Sequence, residues 1–279
     1  MNLPPATLQL LARVRAVLLD MDGVLYVGDQ ALPGVQDLID YLDASRRQWL
    51  CVTNNASRSS ALFSQKLADM GIRVNPAHIL GSAQATASYL AEQAPRVDGS
   101  RGKVIMIGEE ALRSALLNEG FELTRDPYAA PYAVAGIYFN LNYPELADLT
   151  VAIRNGARFI ATNPDRTLPT ERGQVPGTGS IIALLIAASD TQPEFVGKPY
   201  PAMYRQAMHL LHTEPGETLM VGDRYETDIV GAVELGMPTA GVLTGISTRE
   251  EFVSAAAPPD VVLADLPALL AAFQAADAG

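Results

Sequence analysis

The stretch "VRAVLLDMDGVLYVGD", residues 14–29, decides the fold. Val17, Leu18 and Leu19 form an apolar run that leads into Asp20, Met21, Asp22 and Gly23, and Val24 and Leu25 follow. Aspartate is a poor strand former. Two carboxylates this close also raise one another's pKa. A core strand that ends on two acids therefore needs a reason outside strand formation.

Outward from this strand, short apolar runs alternate with helical patterns, the grammar of a parallel sheet built from strand–helix–strand units. Residues 34–45 carry Val35, Leu38, Ile39 and Leu42 at i, i+3, i+4 and i+7, just after Pro33, and predict a helix. Residues 49–55 read as a second strand and its exit loop, 58–71 as a helix stopped by Gly71, and 83–93 as another helix. The pattern then begins a second series. Strands are expected at 103–108, 133–139 and 158–162, and helices at 110–120 and 144–156. Residues 163–180 have no period and are rich in Pro and Gly, so an irregular, functional or disordered segment is expected, with "PGTGS" (176–180) opening a helix. Alternation returns with a helix over 202–212, a strand over 218–223, a helix over 225–236, a strand over 239–243, and a strand and helix within 260–273. Ser247 and Glu250 have the spacing of a capping box.

Composition narrows the partners. The 279 residues carry a net charge of −11, which argues against nucleic acid, whose backbone demands clustered Lys and Arg. Hydrophobic residues make up 48% of the chain, enough for a substantial core. The lone cysteine, Cys51, permits no internal disulfide and points to a reducing compartment. The first residues lack the basic start of a signal peptide. The longest apolar run, 181–189, is too short to span a bilayer. A soluble cytoplasmic protein with no membrane partner is the expectation. With three His and one Cys, zinc is a poor candidate, and a metal would be held by carboxylates.

The strand ends carry the chemistry. One ends at Asp20 with Asp22 beyond, one at Thr53 followed by Asn54, and one at Asp223 with Asp228 five residues on. "FVGKPYP" (195–201) sets Lys198 between Gly and Pro. In open α/β sheets ligands bind outside the carboxyl ends of the strands, so these groups are expected to converge. Clustered carboxylates need a cation, and an all-oxygen ligand set points to Mg²⁺. Lys198 and the Thr53 hydroxyl beside it suit a phosphate. Asp20 is then placed to attack phosphorus, and Asp22 to give and take a proton.

In order along the chain, "DMDGVLY" (20–26), "TNN" (53–55), "GKP" (197–199) and "GDRYETDI" (222–229) resemble the four motifs of the haloacid dehalogenase-like (HAD) superfamily. The detail, with "ATNPD" (161–165) and "PGTGS", is similar to the branch of p-nitrophenyl phosphatases and NagD-like nucleotidases. That resemblance implies an α/β fold: a Rossmann-like parallel-sheet core from residues 1–82 and 190–279, with a smaller α/β cap, residues 83–189, inserted. It implies a Mg²⁺-dependent phosphatase acting on small phosphorylated metabolites through an aspartyl-phosphate. Asp20 is then nucleophile and metal ligand, and Asp22 acid/base and a ligand through its main-chain carbonyl. Asp223 completes the metal site, and Thr53 and Lys198 bind phosphate. Asn54 either fixes its loop or contacts phosphate. Asp228 steadies the metal's water shell or Lys198. Glu226 departs from the Asp often found there. Asn163, Asp165 and Arg172 are candidate leaving-group contacts, and Arg224 either meets substrate or forms a salt bridge. The branch often dimerises through its cap, so a homodimer is carried as an expectation. A phosphotransferase or mutase, a dehalogenase, and a non-catalytic phosphometabolite-binding protein are the alternatives. Asp22 and Asp223 speak against the dehalogenase, which needs neither a second acid nor metal ligands.

Overall fold

The structure is a computed structural model that describes residues 3–170 and 172–279. The chain forms two compact units. The first comprises the chain up to Thr53, Ala61–Leu80 and Tyr204–Gly279, and the second comprises Asn54–Ser60 and Gly81–Met203.

The first unit is built on a six-stranded sheet in the order Val261–Leu263, Thr239–Val242, Thr218–Gly222, Ala16–Leu19, Gln48–Thr53, Ile79–Gly81. Ala16–Leu19 is buried along its whole length and pairs in parallel on both sides. That accounts for its unbroken apolar sequence, since a strand covered on both faces has no polar side to show. Its register sets Leu19 opposite Cys51 on one neighbour and Val221 on the other, so three strands end at one edge. The helix Val35–Ala44 buries the predicted Val35, Leu38, Ile39 and Leu42, and Leu266–Asp277 buries Leu269 and Phe273 in the same core. Each such side chain contributes roughly 1.5–3 kcal/mol by leaving water.

The second unit has its own five-stranded sheet, in the order Glu194–Phe195, Arg158–Ala161, Tyr132–Ala135, Lys103–Ile107, Glu122–Leu123, paired in parallel throughout. Its bounds run past those expected for the cap. Glu194–Phe195 pairs with Ile160 and Ala161, so the segment that carries Lys198 folds with this sheet.

Three local expectations are corrected. Residues 163–180 are not irregular throughout: after the irregular 163–166, Thr167–Thr170 and Gly173–Pro176 pair as an antiparallel hairpin, and Thr178–Ser189 is a helix with Gly177 at its N-cap. The capping box is one residue further on, with Thr248 accepting from the Glu251 N–H and Glu251 accepting from the Thr248 N–H. Residues 225–236 are not one α-helix but a π-helical turn, Tyr225–Ile229, followed by a short helix, Val230–Glu234. Among the described residues no helix is long and apolar enough to cross a membrane.

Candidate active site

At the carboxyl edge of the first unit's sheet, Asp20 follows Leu19, Thr53 closes its strand, and Asp223 follows Gly222. The backbone N–H of Asp20 still bonds to the Val221 carbonyl at 2.9 Å, so this residue is the last to be held by the sheet. Carboxylate oxygens of Asp20, Asp223 and Asp228 all lie within 4.8 Å of one another. Asp223 and Asp228 are 3% and 1% exposed, too buried for three charges to coexist without compensation.

Each acid is held in place. Asp223 Oδ2 accepts from the Ile246 N–H at 2.8 Å, and Asp228 Oδ2 accepts from the Arg224 N–H at 3.1 Å. The π-turn that carries Asp228 is pinned from below by Tyr204, whose hydroxyl donates to the carbonyls of Thr227 and Asp228 at 2.8 and 3.0 Å. Such turns recur at functional sites because they re-aim one side chain within a helix. Glycines make room. A Cβ on Gly245 would lie 1.9 Å from Asp223 Oδ2, one on Gly23 2.5 Å from the same carboxyl, and one on Gly222 2.2 Å from the Asp228 Cβ. Gly23 also has φ +88, which side chains rarely adopt. The three-carboxylate cradle, shaped by residues without side chains, fits a hard divalent cation.

Asp22 stands apart from this cluster. Its loop is a tight turn in which Met21 O accepts from Leu25 N and Gly23 N donates to Tyr26 O, both at 2.8 Å. Although Asp22 reaches the surface, burial of its carboxyl holds its pKa above the ordinary value, and the positive charge of Lys66 opposes that rise. Lys66, which reads in the sequence as an ordinary solvated helix charge, sits 4.1 Å over the Tyr26 ring and donates to the Gly28 carbonyl at 2.9 Å. It thereby ties the helix Ser60–Asp69 to the hairpin that follows Asp22. Thr244 donates to the Gly23 carbonyl at 2.6 Å from the other side. Sequence reasoning missed Lys66, Tyr204, Thr244 and Gly245, because each acts through contacts far along the chain.

Asn54 and Lys198 lie in the second unit and are brought together there. Asn54 Nδ2 donates to the Lys198 carbonyl at 2.8 Å and so ties its loop to the one that carries Lys198. Asn54 Oδ1 is buried without a hydrogen-bond partner among the described residues. Lys198 is 2% exposed, an unusual setting for lysine. Of the leaving-group candidates, Asn163 donates to Asp165 at 2.9 Å, and Arg172 is exposed at the turn of the hairpin. Arg224 approaches Glu226 at 3.5 Å on the surface, the salt-bridge alternative. Cys51 is fully buried, and burial followed by the Asp20 charge drives its thiol pKa far up, so it is an inert filler of its strand.

Comparison with known proteins places the chain among relatives. A family model described as haloacid dehalogenase-like hydrolase matches residues 17–122, and one described as HAD-hydrolase-like matches 195–269. The acid sugar phosphatase of Staphylococcus epidermidis is 38% identical over 260 residues, covering 93% of this chain and 98% of the relative. Among solved structures, a thermostable double mutant of the nitrophenylphosphatase (NPPase) of Geobacillus stearothermophilus has 35% identity and a TM-score of 0.83 over 91% of this chain and 97% of its own. The glycerol phosphate phosphatase of Mycobacterium tuberculosis, solved in complex with magnesium, has 33% identity and a TM-score of 0.83 over 94% of this chain and 78% of its own.

The chain belongs to the haloacid dehalogenase-like hydrolases. Within them it stands among the NagD-like and p-nitrophenyl phosphatases.

Proposed function

We propose that this chain is a Mg²⁺-dependent phosphatase that hydrolyses small phosphomonoesters, sugar phosphates foremost, through a phosphorylated Asp20. The observation that carries this is the meeting of Asp20, Asp223 and Asp228 within 4.8 Å at the sheet edge. The names of its relatives, a sugar phosphatase and a glycerol phosphate phosphatase among them, support the substrate class.

Asp20, Asp223 and Asp228, with the main-chain carbonyl of Asp22, would hold the ion. Bound there, Mg²⁺ supplies positive charge that offsets the carboxylates and the phosphate. The Asp20 carboxylate attacks phosphorus as the bond to the ester oxygen breaks, and Asp22 donates its proton to that oxygen. Water then attacks the phosphorylated Asp20, its proton passing to Asp22, and inorganic phosphate leaves with Asp20 restored. The raised pKa of Asp22 favours the protonated form that the first step requires. Thr53 and Lys198 would bind the transferred group and share its charge. The ligand is a small phosphorylated metabolite, the setting is the cytoplasm, and the assembly is a homodimer formed through the cap, to be read by gel filtration with light scattering.

The test is phosphate release from a panel of sugar phosphates, glycerol phosphate and p-nitrophenyl phosphate. Wild type should turn over with Mg²⁺ and stop with EDTA, and Asp20→Asn should lose on the order of 10³-fold or more in kcat. Turnover that survives chelation, or an active Asp20→Asn chain, would refute the reading.

A further inference from the structure

The first unit carries a second gathering of polar side chains, at the opposite edge of its sheet. Val14 and Arg15 lead into Ala16–Leu19, Arg46 and Arg47 lead into Gln48–Thr53, and His212 and Thr213 follow the helix Pro201–Leu211. These segments and Asp277 enclose a cleft of about 770 Å³. Small-molecule sites usually span roughly 300–1,000 Å³. Arg15 precedes Asp20 by five residues on one strand, which at about 3.3 Å per residue puts the cleft about 17 Å from the carboxylates.

The cleft is basic in a chain of net charge −11. Three arginines and a histidine line it against one carboxylate, Asp277. That carboxylate is already committed. Arg47 donates to it from Nη1 at 2.8 Å and from Nη2 at 2.5 Å, and from Nε to the Val14 carbonyl at 3.1 Å. With its side chain 8% exposed, Arg47 forms a neutralised floor. Arg15 reaches Glu217 only at 3.4 Å in the open, a weak pairing. The Arg46 side chain makes no hydrogen bond or ion pair among the described residues.

The backbone adds an independent observation. Arg46 and His212 have φ +59 and +53, in the left-handed region just past the helices Val35–Ala44 and Pro201–Leu211. That position is usually glycine. Elsewhere this chain obeys the rule: Gly71, Gly120, Gly156 and Gly236 follow four other helices with φ between +75 and +94. Asp190 is a further exception, but a short polar side chain tolerates the region. The two helices that end at the cleft instead carry a long cation and an imidazole. The left-handed turns close capping bonds, Arg47 N–H to the Leu42 carbonyl at 3.0 Å and Thr213 N–H to the Met208 carbonyl at 3.1 Å, but glycine would close the same bonds without the cost of a side chain, so they do not account for the arginine. A ligand that needs its charge does.

We propose that this cleft is a second ligand site, for a small organic phosphate, with the phosphate held by the forked guanidiniums of Arg15 and Arg46 beside His212. Such forks match phosphate oxygens in pairs. The exposed Gln48 amide is at hand for the ligand's hydroxyls, while the half-buried Thr213 hydroxyl is shared with Thr218 at 2.9 Å. The site stands independently of the reaction proposed at Asp20.

Calorimetric titration of glucose 6-phosphate and of inorganic phosphate into the full chain in EDTA tests it, since Asp20, Asp223 and Asp228 repel phosphate without a metal. Wild type and Asp20→Asn should both show saturable binding, tighter for the sugar phosphate. Arg46→Gly should weaken it about tenfold or more while melting no lower than wild type, because glycine suits φ +59. Asp190→Gly, with the same backbone relief, should bind as wild type does. No saturable binding up to about 10 mM, wild-type affinity in Arg46→Gly, or loss of binding in Asp20→Asn would overturn the proposal.

Discussion

At the scale of single residues, the candidate active site is made as much by absent side chains as by present ones. Gly245 carries no side chain, and a methyl group there would overlap the Asp223 carboxylate. Gly245→Ala should push that carboxylate off the Ile246 N–H and away from Asp20. The Mg²⁺ concentration for half-maximal phosphatase activity should then rise about 10–100-fold, the usual cost of disturbing the groups that orient a ligand. Activity measured against Mg²⁺ concentration reads this directly, and an unchanged midpoint would count against the cradle. The meeting of Asp20, Asp223 and Asp228 was legible in the sequence because acids just past apolar strands violate what those positions prefer, and Asp228 follows Asp223 at a motif's spacing. Lys66 and Tyr204 were not legible. A lysine on an exposed helix face and a tyrosine on a buried one break no rule, and their roles exist only once Tyr26 and Asp228 are folded against them.

At the scale of elements, the π-turn Tyr225–Ile229 shows why local reading stopped short. Its residues carry no local mark of a π-turn, and the hydroxyl that its Thr227 and Asp228 carbonyls meet, that of Tyr204, belongs to a different element. Removing that hydroxyl in Tyr204→Phe takes away the one O–H donor that the half-buried Thr227 and buried Asp228 carbonyls share, at about 1–3 kcal/mol. Urea denaturation should show that loss together with a weaker Mg²⁺ dependence. The hairpin Thr167–Thr170/Gly173–Pro176 escaped for a related reason: short strands rich in Pro and Gly declare themselves only by pairing. Long periodic elements such as Val35–Ala44 fell within a residue of their expected ends. The helix Leu266–Asp277 is fastened at its last residue by Arg47. That hydrogen bonding, against the opposing effect of burial, holds the Asp277 carboxyl below its usual pKa. A carboxylate with a lowered folded pKa stabilises above the unfolded value, about 4, and loses that contribution as pH falls through the folded one. Because Asp277 is a third exposed, the effect is screened to roughly 1 kcal/mol. Asp277→Asn should be less stable than wild type by that amount near neutrality, with the gap closing below pH of about 4.

At the scale of the whole molecule, ion binding and folding are linked. Asp20, Asp223 and Asp228 come from segments about 200 residues apart and meet only in the folded first unit. An ion that binds there and not to the unfolded chain adds about 2.7 kcal/mol at a hundred times its Kd. Thermal melts should therefore rise with Mg²⁺, and Asp223→Asn should abolish the rise. A melt indifferent to Mg²⁺ in wild type would mean that the three acids form no ion site.

The order of strands in the first sheet also bears on how the chain is made. Ala16–Leu19 lies between Gln48–Thr53 and Thr218–Gly222, and the latter is synthesised some 200 residues later. At about 5–20 residues per second on the ribosome, one side of the central strand stays bare for roughly 10–40 s. Nascent chains arrested before Thr218 should therefore be the ones that chaperones hold and that aggregate on release.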